Sequence, residues 1–89
     1  MASYRIFIKR SAAKELEAVG SKKDRRRLVA KIRSLAVDPR PPGSQKLSAS
    51  EKYRVRQGHY RIVYSIEDDL LIVTVVRVAH RREVYRRQE

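Results

Sequence analysis

Hydrophobic and polar residues alternate from Tyr4 to Lys9, with Tyr4, Ile6 and Ile8 on one side and Arg5, Phe7 and Lys9 on the other. Aromatic and β-branched residues at a period of two predict a strand, and Phe7 on the second side suits a strand inside a sheet. The period then lengthens. Ala12, Leu16 and Val19 fall at i, i+4 and i+7 on one helical face, with Ser11 as the expected N-cap and Gly20 as the expected stop. Ser21 caps a second helix, in which Leu28, Ile32, Leu35 and Ala36 repeat that spacing. Its other face is basic: Lys22, Lys23, Arg25, Arg26, Arg27, Lys31 and Arg33 stand against Asp24 alone. Joined at Gly20-Ser21, the two helices read as an antiparallel pair.

Asp38-Pro-Arg-Pro-Pro-Gly43 cannot continue a helix, because proline lacks the backbone donor and clashes with the preceding turn. It is a connector inside one domain. Beyond it, Gln45 to Ser48 suits a short extended piece, and Tyr53 to Arg56 a strand with Tyr53 and Val55 opposed to Arg54 and Arg56. Tyr60 to Ile66 splits in the same way, with Tyr60, Ile62, Tyr64 and Ile66 against Arg61, Val63 and Ser65. Glu67-Asp-Asp69 reads as an acidic turn. Leu70 to Val78 is apolar on both faces, which marks a central strand. A hairpin closed through Gln57-Gly58 sets Arg56 opposite His59, Val55 opposite Tyr60 and Arg54 opposite Arg61. A slip of one residue would turn arginines toward the core. The predicted sheet therefore has one packed face and one face carrying Arg54, Arg56 and Arg61.

Eighty-nine residues make one domain, 1–89, with a modest core. The absence of cysteine excludes disulfides and thiolate zinc sites, and His59 and His80 do not by themselves suggest a metal site. No apolar run reaches membrane-spanning length and the N-terminus lacks an apolar signal core, so no membrane role and a cytoplasmic location are expected. Charge changes the picture more. Lys and Arg number 22 against 10 Asp and Glu, leaving +12. Self-repulsion of that size points to a polyanionic partner, nucleic acid first and an acidic protein second.

Arg54, Arg56, Arg61, Arg81 and Tyr85, with Lys46 and His80 near by, make the candidate site. Guanidinium is planar, permanently charged and bidentate toward phosphate. Internal RNA cleavage draws its nucleophile from the substrate's own 2′-OH. The protein must orient it, offset the charge that grows on the phosphorane, and handle two protons. Tyr85 or a lysine suits the base, and Arg81 or His80 the leaving oxygen. The same alternation at Arg54 and Arg56 also describes an ordinary solvated face. His80 equally suits a structural turn, and Tyr85 a residue that packs the tail.

Lys46-Leu47, Tyr53-Arg-Val-Arg56, Tyr60-Arg-Ile-Val-Tyr64 and Val78-Ala-His-Arg-Arg-Glu-Val-Tyr85, set behind a strand, a helical pair and a proline-rich connector, resemble the RelE/ParE superfamily of bacterial toxins, and its RelE branch most. The resemblance implies an α+β, microbial-ribonuclease-like fold. In it an N-terminal strand and helical hairpin pack on a mostly antiparallel four-stranded sheet, followed by a short C-terminal helix. It implies the toxin of a type II toxin–antitoxin system: an mRNA interferase that cuts mRNA in the ribosomal A site, leaves a 2′,3′-cyclic phosphate and needs no metal or cofactor. Its implied partners are mRNA on the ribosome, a RelB-like antitoxin, and operator DNA only as the toxin–antitoxin complex.

Carried over by position, the resemblance makes Arg61 the stabiliser of the transition state. Arg81 becomes the group near the leaving oxygen, and Tyr85 the residue that stacks on or activates substrate. Lys46, Arg54, Arg56 and His80 become phosphate-binding residues. Arg54 and Arg56 fall where RelE toxins often carry lysines, one of them proposed as the base, and Ser48 stands where some members are basic. Arginine is a poor base, so Tyr85, His80 or Lys46 inherits the proton. The alternative is the ParE branch, which binds DNA gyrase and is no nuclease; ParE-like toxins tend to lack the Arg81 and Tyr85 pair.

Overall fold

The computed structural model describes residues 3–48 and 51–80. These form β1 (Arg5–Ile8), α1 (Arg10–Glu17), α2 (Lys22–Ser34), β2 (Gln45–Lys46), β3 (Lys52–Gln57), β4 (Tyr60–Glu67) and β5 (Ile72–His80). One sheet runs β1-β5-β4-β3-β2, with β1 parallel to β5 and the other pairs antiparallel. The class is α+β as expected. The sheet has five strands rather than four, the fifth being the two-residue β2 on the edge. The expected C-terminal helix lies outside the described residues.

Period-two alternation, with one extra residue taken up in β5 after Val75, sends Val55, Ile62, Tyr64, Val73, Val75 and Val78 to one face of the sheet, where Ala12, Val19, Leu28, Ile32 and Leu35 of the helical layer meet them. Tyr4, Ile6, Tyr53, Tyr60 and Ile66 pack around that core. β5 is an interior strand, flanked by β1 and β4, as its two apolar faces require, although Leu70 and Leu71 fall in the turn before it. β1 is not: it forms an edge, and Phe7 on its outer side is 49% exposed.

Three local expectations are corrected. α1 begins one residue before Ser11, after Lys9, which makes no side-chain cap. Gly20 does not turn left-handed, since the only glycines with positive φ are Gly43 and Gly58 among the described residues. Instead Arg25 reaches back from α2 and donates to the Val19 carbonyl at 3.0 Å, satisfying an acceptor that the end of α1 leaves open. Ser21 does cap α2, its hydroxyl accepting from Asp24 N at 3.2 Å. The hairpin register moves as well: Gln57 faces Tyr60, Arg56 faces Arg61, Val55 faces Ile62 and Arg54 faces Val63. The turn is Gly58-His59, with Gly58 at φ +61 in the first central position, where a type II′ hairpin wants glycine.

A polar network ties the proline-rich connector to the β4–β5 turn. Arg40 donates to both Asp68 oxygens, at 3.1 and 2.9 Å, and through Nε to the Tyr53 hydroxyl at 3.1 Å. Tyr4 donates to Asp68 at 2.7 Å. The Arg40 guanidinium lies 5.1 Å from the Tyr53 ring centre, and Tyr53 stacks on Tyr64 at 6.0 Å. Tyr64, fully buried, donates to the Pro39 carbonyl at 2.7 Å, and burial pushes its phenol up to about 12. The arginine beside it, then the Tyr4 hydroxyl, hold the Asp68 carboxyl at about 2, below its ordinary 3.8. A lowered carboxyl stabilises the fold above its ordinary value and loses that contribution as pH falls through the lowered one. Asp68→Asn is therefore expected to melt below the parent at neutral pH, with the gap closing between pH 3.8 and about 2. A gap that persists in acid would show that the carboxylate charge is not what matters.

Leu71 closes the same turn at φ +54, a left-handed conformation that disfavours leucine. Its side chain is 36% exposed, so the relief of backbone strain is opposed by the loss of what packing remains. Leu71→Asn is expected to stabilise by about 1 kcal/mol, read as a higher melting temperature. A lower one would mean that leucine packing outweighs the strain.

Candidate functional site

On the face of the sheet away from the helices, the pleat places side chains of β3, β4 and β5 in rows. One row is Arg54, Val63 and Arg77; the next is Arg56, Arg61 and Ala79. Directly opposite residues lie about 5 Å apart at Cβ, so four guanidinium stems rise from a small block of backbone. Arg61 sits in the middle strand and is 4% exposed, Arg77 is 5% exposed, and Arg56 is open to solvent. Arg54 donates through Nη2 to Gln45, its neighbour on β2, while its buried Nε has no hydrogen-bond partner. An irregularity between Val63 and Tyr64 lets Arg77 join this face: Val63 pairs with Arg77 but Tyr64 with Val75, so β5 spends an extra residue there.

The structure thus brings together Arg54, Arg56 and Arg61, on the face expected for them. It does not bring Lys46 or His80 there. Lys46 pairs with Tyr53 across the β2–β3 ladder, which turns it to the helix side, and its ammonium meets Glu51 at 3.1 Å. His80 pairs with Tyr60 and shares that residue's face. Its ring meets the edge of Tyr60 at 5.6 Å and stacks on His59 at 6.0 Å. Arg81 and Tyr85 lie outside the described residues.

Two further residues shape this end of the sheet and escaped the sequence reading. Arg77 was legible as the one charge in the apolar run from Ile72 to Ala79. Glu15 was not, because its role is tertiary. β1 ends opposite Val75, and among the described residues β5 runs on without a strand neighbour on that edge. Glu15 of α1 fills in, accepting from Val78 N at 2.9 Å and lying 3.8 Å from Arg77 Nε. A cleft of about 180 Å³ opens beside it, lined by Ala18, Val19, Tyr60 and His80 among others. A smaller one of about 60 Å³ at the hairpin tip is lined by Arg56, Gly58, His59, Tyr60 and Arg61.

A sheet with one packed face and a crowded guanidinium face, on a chain of net charge +12, presents donors whose planar fork matches carboxylate and phosphate oxygens. The sequence profile of the family described as "ParE toxin of type II toxin-antitoxin system, parDE" matches residues 6–85. The chain belongs to this family. Within the wider RelE/ParE superfamily the toxin is 43% identical over 35 residues to Toxin RelG of Mycobacterium tuberculosis, a stretch covering 39% of this chain and 40% of RelG. Its fold matches the toxin–antitoxin complex RelBE2 of the same organism with a TM-score of 0.79 and 23% identity, over 90% of this chain and 93% of that one. The archaeal RelE–RelB complex of Pyrococcus horikoshii OT3 matches with a TM-score of 0.79 and 26% identity, over 89% and 96% of the two chains. Among the toxin's described residues, no helix is long and apolar enough to cross a membrane.

Like charges set directly opposite on adjacent strands are destabilising. Arg56→Thr removes one partner of the Arg56–Arg61 pair and supplies a good strand residue. It is expected to raise stability by about 0.5 kcal/mol in urea unfolding at low salt, with a smaller gain at high salt. A loss of stability would show that the two guanidinium groups do not repel as placed.

Proposed function

We propose that this toxin is a ribosome-dependent endoribonuclease that cleaves mRNA in the A site and so stops translation. The observation that carries the reading is the block of Arg54, Arg56, Arg61 and Arg77 on one sheet face, with Arg61 on the middle strand and Arg56 directly opposite it. Buried guanidinium in a poorly solvated setting interacts strongly with charge that grows during a reaction. RNA cleavage by its own 2′-oxygen has such a step: as the O2′–P bond forms, the phosphorane carries more negative charge than the diester. The P–O5′ bond then breaks, leaving a 2′,3′-cyclic phosphate and a 5′-hydroxyl, with one proton lost from O2′ and one gained by O5′. Arg61 stabilises the phosphorane. Arg54 and Arg56 hold the neighbouring phosphates, Arg81 serves the leaving oxygen, and Tyr85 stacks on the substrate. The nucleophile comes from the RNA, so the chemistry asks for neither metal nor cofactor.

The toxin works in the cytoplasm, where translating ribosomes are, and an acidic RelB-like antitoxin neutralises the arginine face. Solved RelE–RelB complexes of similar fold support that partner. Operator DNA is bound only by the toxin–antitoxin pair. The family's own description, ParE, favours a second reading in which the same fold inhibits DNA gyrase by binding. The tail His80-Arg-Arg-Glu-Val-Tyr85 favours the nuclease.

Primer extension on a defined mRNA held on purified ribosomes separates them. The wild type is expected to give new A-site ends. Arg61→Gln, shown to be folded by its melting curve, is expected to lose about 10²-fold or more in rate. Folded wild-type protein that leaves the mRNA intact but blocks gyrase supercoiling would overturn the nuclease reading.

A further inference from the structure

We infer that His59, at the tip of the β3–β4 hairpin, is the group that takes the proton from the attacking 2′-hydroxyl. This rests on the nuclease reading, and it fills a gap which that reading leaves. Arg54 and Arg56 cannot serve as a base, because guanidinium holds its proton through the whole working range. Lys46 faces the helix side beside Glu51, and His80 lines the cleft beside Glu15 rather than the one shared by Arg56 and Arg61. Among the described residues, His59 is the imidazole that lines the cleft shared by Arg56 and Arg61.

Its placement follows from the turn. With Gly58 in the first central position, His59 occupies the second, immediately before β4. From there it lines the same cleft of about 60 Å³ as Arg56 and Arg61, and its ring is exposed to incoming substrate. The imidazole is also held. It stacks on His80 at 6.0 Å with the planes 25° apart, and His80 is itself met edge-on by Tyr60 at 5.6 Å. An exposed turn residue braced by a neighbouring ring is oriented at lower entropic cost than a free one. The titratable and charged groups around it are Arg56 from β3, Tyr60 and Arg61 from β4, and His80 from β5, with Glu15 of α1 beyond His80.

In the proposed step neutral His59 accepts the 2′-OH proton as O2′ bonds to phosphorus. The P–O5′ bond breaks, O5′ takes a proton from water, and the imidazolium returns its proton to solvent. Atoms and charge balance with no further reactant.

The test is single-turnover cleavage of mRNA on programmed ribosomes as a function of pH. It compares wild type, His59→Ala, His59→Gln and His80→Ala, each with and without added imidazole. The wild-type rate is expected to rise with pH through one inflection. His59→Ala and His59→Gln are expected to lose about 10²-fold and the inflection with it, with ribosome binding kept. Added imidazole should restore part of the His59→Ala rate. His80→Ala removes the same ring stack but should keep the inflection. A full rate in His59→Ala, an inflection that survives there, or one that disappears in His80→Ala instead would overturn the assignment while leaving the nuclease standing. A wild type that never cleaves would remove the nuclease, and this step with it.

Discussion

β4 hydrogen-bonds to β3 along one edge and to β5 along the other, so neither its register nor its pleat can slip without breaking a ladder. Everything else in the molecule inherits that constraint. Ile62 and Tyr64 must point at the helices, and Arg61 and Val63 must point away. The helical layer then has one place to bury Leu28, Ile32 and Leu35, and covering that face leaves the arginines on the other. The basic face is thus a by-product of the core: the same alternation that hides tyrosine and isoleucine commits the residues between them to the opposite side.

What the arginine face costs is held in check by devices placed around it. Gln45 on β2 takes a hydrogen bond from Arg54, and Glu15, from the other end of the chain, stands beside Arg77. Negative side chains gather at the far end of β4, where Asp68 is fully engaged with Arg40 and Tyr4. The sheet is polarised along β4, with cations at its start and a closed acidic clasp at its end. A polyanion approaching it is drawn to the first and not to the second.

Face, period and class were legible in the sequence because each is a short-range pattern. Tyr60, Ile62 and Tyr64 declare a buried face, and Arg54, Arg56 and Arg61 fall on the other whichever turn closes the hairpin. That is also why the turn was misplaced. Registers through Gln57-Gly58 and Gly58-His59 differ by two residues in the partner of every position, and a shift of two leaves each side chain on its own face. Alternation cannot distinguish them; the left-handed φ of Gly58 does. The side on which Lys46 lies was not legible for a related reason, since a two-residue edge strand carries too little pattern to show which way it faces. Contacts such as Glu15 with Val78 or Arg40 with Asp68 join segments 63 and 28 residues apart and leave no local signature.

The parallel pairing of β1 with β5 has a kinetic side. β1 has no sheet neighbour until β5 exists, and the Tyr4–Asp68 hydrogen bond that fastens its start spans 64 residues of chain. Helices and the β3–β4 hairpin are local and form early, but the sheet closes last, with the largest loop entropy still to overcome. A growing or truncated chain lacking β5 therefore exposes the apolar sides of both helices and has no finished arginine face. The arginine face is completed in a single late event, when the strand carrying Arg77 slots between β1 and β4.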